Sequence, residues 1–353
     1  VAKAGSGLAN IQRVYTYDPL WNLVKTEQDG LGRITTFNYN ATTGNLESVV
    51  YPTVGGQVPQ RLYTYNSRGQ VLTVTDETGI VTKNTYSPTN ETLTQVIVDF
   101  GVGRLNLTTN YGYNAQGDNT TVQDPRGNTW TSVFDVKRRK TQVTDPAPFN
   151  YVTKMTWNKN DRLTKIERQT GIVATPWQTV TVAYNVADQP ITGTDPLNRT
   201  QTIQYDDRQL VWKRTDEENR TTTFTYDARK KLATVTDPAG VVSNTQTYTP
   251  NGNLASSKDE RNNVTSYTFD GFDRPDKVIF PSGASDFEQN QSYDANGNLL
   301  RKRVRSGETI DMVYDELNRV TSRGPTVPTT GFPRETYVYD LASRLLNLTT
   351  PLV

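Results

Sequence analysis

The sequence predicts an all-β protein: tandem β-hairpin repeats joined into a spiral, shell-like or solenoid sheet. Three observations carry this reading. An aromatic residue followed by a turn-former recurs along the whole chain, and fixed offsets from it hold an aliphatic residue and then an Asp. No stretch shows helical periodicity. Only 34% of the 353 residues are hydrophobic, yet 10% are aromatic, with 19 Tyr. A disordered chain would lack such residues, so the composition fits β-structure with a thin apolar layer.

The aromatic anchors are Tyr17, Tyr39, Tyr65, Tyr86, Tyr113, Phe134, Trp157, Tyr184, Tyr205, Tyr226, Tyr248, Phe269, Tyr293, Tyr314 and Tyr339. Successive anchors lie 21 to 27 residues apart, most often 21. Asp or Asn follows 13 of the 15, and Ser87 and Thr249 follow the others with hydroxyls suited to the same turns. Two residues before the anchor stands an aromatic or aliphatic residue in 11 cases, such as Tyr15, Phe37, Tyr63, Phe224 and Tyr267. That spacing puts both side chains on one face of a strand.

Six residues after the anchor come Leu23, Val71, Leu163, Val211, Leu232, Leu254, Leu299, Val320 and Leu345. Leu46 and Leu93 come one residue later, as a turn longer by one residue requires. Eleven after the anchor stand Asp76, Asp124, Asp145, Asp195, Asp216, Asp237 and Asp259. Each unit therefore parses as strand, turn, strand, turn. In the unit from Tyr226 to Tyr248, the expected turn begins at Asp227, a strand runs over Leu232–Thr236, and Asp237-Pro238-Ala239-Gly240 turns the chain back. Asp, Pro and Gly at those places are type I turn preferences.

The expected organisation is one array over residues 1–353, about fifteen repeats and about thirty strands. At about 4.8 Å per strand, such a ribbon would run on the order of 140 Å. Twist forces an open sheet beyond about ten strands to curl, split or stack, so a coiled wall is the economical solution. The chain opens at Val1 without Met and is expected to be a segment of a longer one.

The remaining chemistry points away from a catalytic role. The chain has no His and no Cys, which excludes His-dependent triads, His-ligated metals and thiol chemistry; no cofactor and no metal are expected. Acidic residues could pair as in a glycosidase, but they fall at recurrent turn positions. The segment Asp294–Asn298 alternates acidic and amide residues like a calcium loop without its downstream Glu, and is read as an Asx turn. Gly101-Val102-Gly103 lacks the third glycine of a dinucleotide fingerprint. The sequons at Asn40, Asn106 and Asn219 are attributed to the abundance of Asn and Thr.

With 38 basic and 37 acidic residues there is no net field toward nucleic acid, and the runs Lys137–Lys140 and Arg301–Arg305 are read as solvated turns. No apolar run approaches the roughly 18 residues of a membrane-spanning helix, so membrane insertion is not expected. Trp157 replaces an anchor, and Trp177 lies in a longer insertion where edge packing is favoured over an exposed binding role.

The heptad Tyr293-Asp294-Ala295-Asn296-Gly297-Asn298-Leu299, together with Thr-Asp turns such as Thr236-Asp237, resembles the YD repeats of the Rhs family, and the resemblance covers essentially the entire chain. That family includes bacterial Rhs polymorphic toxins, cocoon-forming subunits of insecticidal toxin complexes, wall-associated proteins and teneurins. The resemblance implies a hollow β-spiral and a non-catalytic, secreted or cell-surface bacterial protein whose shell wall encloses a polypeptide toxin cargo. The chain departs from encapsulating members in lacking their Asp-Pro-x-Gly-Leu element, so what carries over is the shell geometry. The alternative reading is an extracellular structural or adhesive protein, with neighbouring copies or surface glycans as partners.

Overall fold

The computed structural model describes residues 11–172, 176–326 and 333–350. Its thirty strands run from Val14–Tyr17 to Leu345–Thr349 in one sheet, with no helix among the described residues. Every strand pairs antiparallel with the next in sequence, from Val14↔Gln28 at the start to Tyr339↔Leu345 at the end. The sheet is an uninterrupted meander. Each step is local, so the chain needs no crossover connection.

Two kinds of turn alternate and occupy opposite edges of this ribbon. An anchor turn follows each aromatic anchor, as at Asp227, where Lys230 N–H donates to the Asp227 carbonyl at 3.1 Å. A return turn then leads to the next anchor strand, as at Asp237, where Gly240 N–H donates to the Asp237 carbonyl at 3.0 Å. The strand between them spans Leu232–Thr236 and the return strand Val242–Tyr248.

The two kinds of strand pair differ in register. Each of the fifteen anchor hairpins carries a β-bulge at the anchor itself; in one, Thr225 faces Thr234 but Tyr226 faces Leu232, with Ala233 extra. A bulge bends its strand and increases the local twist, and its repetition at every hairpin bends the ribbon progressively. Pairing across a return turn is shorter, typically three residue pairs, as in Thr26↔Thr36, Glu27↔Thr35 and Gln28↔Ile34. There the ladder stops well before the anchor edge.

The first repeat corrects one offset. Asp18 N–H donates to the Leu23 carbonyl at 2.8 Å, so this anchor turn is longer by one residue. The strand starts at Val24, and Leu23 is left exposed in the turn. The same longer closure holds from Asn40 to Asn45 and from Ser87 to Thr92, placing Leu46 and Leu93 at strand starts.

Burial is thin throughout. Val49 and Ile310 are the buried hydrophobic residues, joined by Pro59, Gly324 and Pro325 and by Asp118 among polar groups, within the described part. Most strand side chains are half-buried. One face carries anchors and aliphatics, such as Phe224 against Val235 and Tyr226 against Leu232. The other carries hydroxyl pairs at the residue before the anchor: Thr16 with Thr26, Thr64 with Thr73 and Thr225 with Thr234, each 2.6 Å apart. A single sheet without a second layer must therefore be held by contacts along and across the ribbon, not by a central core.

The ribbon returns on itself. The return turn Asp29–Arg33 touches the anchor turns near Asn296 and Asn318, separated from it by 267 and 285 residues. The return turn at Asp76–Thr78 meets Arg344, 266 residues from Thr78. One wrap thus comprises about 24 strands, and at about 4.8 Å each a round wrap has a contour of about 115 Å and a diameter of about 37 Å. Strand tilt widens this further. Facing sheet walls fill the space between them only at about 10 Å, so side chains cannot occupy the centre of such a wrap.

Candidate functional site

Among the described residues, no cleft with converging reactive groups stands apart from the sheet. The repeated unit of chemistry is the anchor and its turn, and the singular feature is the seam where one wrap meets the next. All fifteen anchors end their strands and sit at the bulge. Eleven reach across to the neighbouring hairpin by the same hydrogen bond. The ring hydroxyl of Tyr39 donates to the Val24 carbonyl at 2.9 Å, that of Tyr226 to Val211 at 2.6 Å, and that of Tyr248 to Leu232 at 2.9 Å. Tyr65, Tyr86, Tyr113, Tyr184, Tyr205, Tyr293 and Tyr314 repeat it, and Trp157 does so through its indole N–H to Lys140 at 2.8 Å.

In every case the acceptor is the first residue of the preceding strand. That carbonyl lies beyond the short ladder across the return turn, so the ring replaces a missing main-chain donor. Burial is the first cause that raises the hydroxyls of Tyr39, Tyr65, Tyr205, Tyr226, Tyr248, Tyr293 and Tyr314 above their ordinary value, which keeps them as donors. Phe134 and Phe269 have no hydroxyl to give. Tyr17 is 55% exposed, and Tyr339 is covered by the Arg319 guanidinium 4.9 Å from its ring centre.

The acidic residues that could have formed a hydrolytic pair are engaged in the turns. Asp227 Oδ1 accepts from Arg229 N–H and Lys231 N–H, both at 2.8 Å, and Asp294 Oδ1 accepts likewise from Asn296 and Asn298. Asp294 Oδ2 takes the Asn298 side-chain amide at 2.8 Å, so the calcium-like segment is closed as an Asx turn. Seven turns add an Arg four residues on, among them Arg139 with Asp135, Arg274 with Asp270 and Arg319 with Asp315. Arg139 then extends Nη1 to the Asn158 carbonyl at 2.8 Å and Arg319 to that of Asp340 at 2.6 Å, linking successive turns along one edge.

These partners lower the carboxyls. Hydrogen bonds from Arg139 lead for Asp135 and from Arg199 for Asp195, while at Asp270 burial opposes ionisation and is outweighed by Arg274 and two backbone amides. The basic runs are absorbed in the same way. Lys137 pairs with Asp161 at 3.3 Å, Arg138 with Asp118 at 2.6 Å, and Arg305 with Asp286 at 2.6 Å. Lys302 pairs with Glu288 at 2.6 Å and Arg303 covers the Phe287 ring. Of the insertion around Trp177, residues 173–175 lie outside the described part; Trp177 opens its strand half-buried, with Lys154 Nζ 4.9 Å from the ring centre.

Sequence reasoning gave no sign of the seam. There Asp29 Oδ2 accepts the Asn296 amide at 2.7 Å, and Arg33 donates to the Asp315 carbonyl at 2.9 Å and to Asn318 Oδ1 at 2.6 Å. Asn318 Oδ1 also takes the amides of Asn296 and Asn298. Further along, Arg344 donates to Thr78 Oγ1 at 3.0 Å beside Asp76. Between these contacts, Leu341 and Ala342 line a cleft with Tyr51, Arg61 and the buried Glu77, and Arg61 holds Glu77 at 3.1 Å. Arg33 follows the same Asp-x-x-x-Arg rule as the anchor turns but serves a turn of the next wrap.

The comparisons with known proteins bear on this repeat. The sequence profile of the RHS repeat matches residues 205–242, which run from one anchor, Tyr205, through the whole of the next hairpin to its return strand. The same bulge, anchor and turn geometry recurs before and after that stretch. The chain thus contains an RHS repeat, set within an array of like geometry. No curated protein sequence matches it.

Among solved structures, this Rhs-repeat chain is similar to a Photorhabdus luminescens Tc holotoxin pore bearing a TccC3 mutation, at 13% identity and a TM-score of 0.61 over 95% of this chain and 21% of that one. It is similar also to a TcdB2-TccC3-Cdc42 structure at 13% identity and 0.62, and to TcdB2-TccC3 at 13% and 0.62, each over 96% of this chain and 22% of the other. The likeness is one of fold. The Rhs-repeat chain spans about a fifth of the length of the solved chains it matches.

Replacing Tyr226 with Phe removes one interhairpin hydrogen bond while keeping the ring, with an expected loss of about 1 kcal/mol. Hydrogen exchange should show faster exchange in the strands Val211–Thr215 and Thr221–Tyr226, with Tyr39 and its neighbours unaffected. Uniform exchange identical to the parent would remove the hydroxyl's assigned role. The lowered carboxyls give a second expectation. Their contribution is complete above the ordinary Asp value of about 3.9 and is lost as pH falls through the still lower folded values. Thermal melting should therefore be flat from pH 7 to about 5 and fall steadily toward pH 2; a midpoint that rises on acidification would contradict the assignment.

Proposed function

We propose that this chain is a non-catalytic segment of a shell wall, one array of YD repeats along its length, and that the shell surrounds a polypeptide toxin as its cargo. The observation that carries this reading is the seam, where turns some 267 residues apart are hydrogen-bonded across successive wraps. A ribbon that closes on itself separates an inside from an outside. The anchors are proposed as the residues that hold that wall, and the turn carboxylates as structural rather than hydrolytic groups. A contour of about 24 strands leaves a lumen too wide for side chains to fill, and a polypeptide suits that space. Similarity to TcdB2-TccC3 over nearly the whole chain supports the same reading. It also favours a secreted bacterial setting.

A second reading rests on exposed apolar side chains of one strand. The last described strand, Leu345–Thr349, is exposed along its whole length and presents Leu345, Leu346 and Leu348. Exposed leucines of this kind suit packing against a neighbouring copy, as in a self-assembling surface protein.

Electron microscopy of the full-length product that contains this array, combined with limited proteolysis, separates the two. The shell reading expects a closed wall around extra density, and a polypeptide that is cleaved only after the wall is opened by denaturant. An empty, open array with every segment protease-accessible would overturn it, and filaments that lengthen with concentration would favour the second reading.

A further inference from the structure

The return turn that begins at Asp29 departs from its counterparts in one residue. Nine return turns open with Asp, and their second residue is Pro at 125, 146, 196 and 238, Glu at 77, 217 and 260, and Phe at 100. Only the turn at Asp29 has Gly, as Gly30. Pro at this position is preferred by a type I turn, and no positive φ is recorded at Gly30, so the turn itself does not ask for glycine. The second wrap does. A Cβ at residue 30 would lie 2.2 Å from the Ala295 carbonyl oxygen and 2.8 Å from its carbon, both main-chain atoms that cannot swing aside.

On either side of this contact the same turn makes the polar bonds of the seam. Asp29 holds Asn296, and Arg33 spans from the Asp315 carbonyl to Asn318. Arg33 is fixed for that reach by Asp29 Oδ2, 2.8 Å from its Nε. Two other return turns carry Asp and Arg at the same spacing, Asp195 with Arg199 and Asp216 with Arg220. Both keep the second residue bulky, and both arginines are more than half exposed, against 16% for the Arg33 side chain. Among these three, glycine at the second place coincides with the turn that is seated on another wrap.

We propose that the turn Asp29–Arg33 is the register lock of the spiral: Gly30 is the notch that admits the Asp294–Asn298 turn, and Arg33 is the arm that fixes the next anchor turn beside it. A wall built from near-identical hairpins offers many near-equivalent ways for one wrap to land on another. A slip by one hairpin displaces the wraps by about 10 Å along the seam. The notch selects a single landing, because the other Asp-led return turns present Pro, Glu or Phe where Gly30 leaves space. The inference concerns how the wall closes and is independent of what it encloses.

The chain has no cysteine, so two introduced ones can be labelled alone. Gln57→Cys on the first wrap and Ser306→Cys on the second carry nitroxide spin labels, and pulsed electron paramagnetic resonance reads their separation. The parent is expected to give one narrow distance. Gly30→Glu installs the residue that three sister turns already use, so the turn still forms, but the distance should broaden or move by about 10 Å, one hairpin. Arg33→Lys should broaden it as well, because a single ammonium cannot serve the Asp315 carbonyl and Asn318 in the planar geometry of the guanidinium. Gly193→Val is the control: nothing lies within 4 Å of a Cβ there, and the distance should not change. Circular dichroism establishes that each variant keeps its β-content. A folded Gly30→Glu variant with the parent's narrow distance would overturn the lock, as would a Gly193→Val control that shifts as much as Gly30→Glu.

Discussion

The wall depends on one hydrogen bond made at the place where the main-chain ladder gives out. Across each return turn the strands pair for only a few residues, and the first carbonyl of the preceding strand is left beyond the pairing. At eleven of the fifteen anchors the ring from the next hairpin donates to that carbonyl, as Tyr86 does to Val71 at 3.0 Å. A buried or half-buried carbonyl without a donor is costly, so the ring both satisfies it and ties two hairpins together. Because the anchor also sits at a bulge, the same residue fixes where the strand bends. Connection and curvature are set by one side chain.

The thinness of the apolar layer follows from this arrangement. A one-layer sheet cannot bury its residues as a packed domain does, and Val49 and Ile310 are exceptional in the described chain. Cohesion is spread instead over many small local terms: hydroxyl pairs on one face, rings and aliphatics on the other, and Asp-capped turns at both edges. Each is worth little alone, and their regular repetition is what accumulates. In such a quasi-one-dimensional array the loss of one term loosens its neighbours and leaves distant repeats standing. The wrap adds a second dimension, since the seam ties residues that no local term connects.

The repeat was legible because its physics is local. An aromatic at the bulge, an Asx residue after it and an aliphatic at the next strand start are all within one turn of each other, so spacing alone placed the strand Leu232–Thr236 and its two turns. Leu23 failed for an equally local reason. Its turn is longer by one residue, which the Leu itself concealed by occupying the expected offset while Val24 took the strand position. The seam was not legible. Asn296 and Asn318 read as ordinary turn residues, and nothing near them specifies that Asp29 and Arg33 will lie opposite. The number of strands in a wrap is the sum of many small bends, which pattern cannot supply. The glycine at residue 30, where the other Asp-led return turns carry Pro, Glu or Phe, becomes readable as a trace of the seam only once the wrap is known.

Small-angle X-ray scattering of the chain in solution tests most directly whether the ribbon comes round on itself. A closed wrap of about 24 strands predicts a longest dimension below about 100 Å and the scattering minimum of a hollow particle. A rod-like profile with a longest dimension near 140 Å, the length of thirty strands laid side by side, would contradict the account.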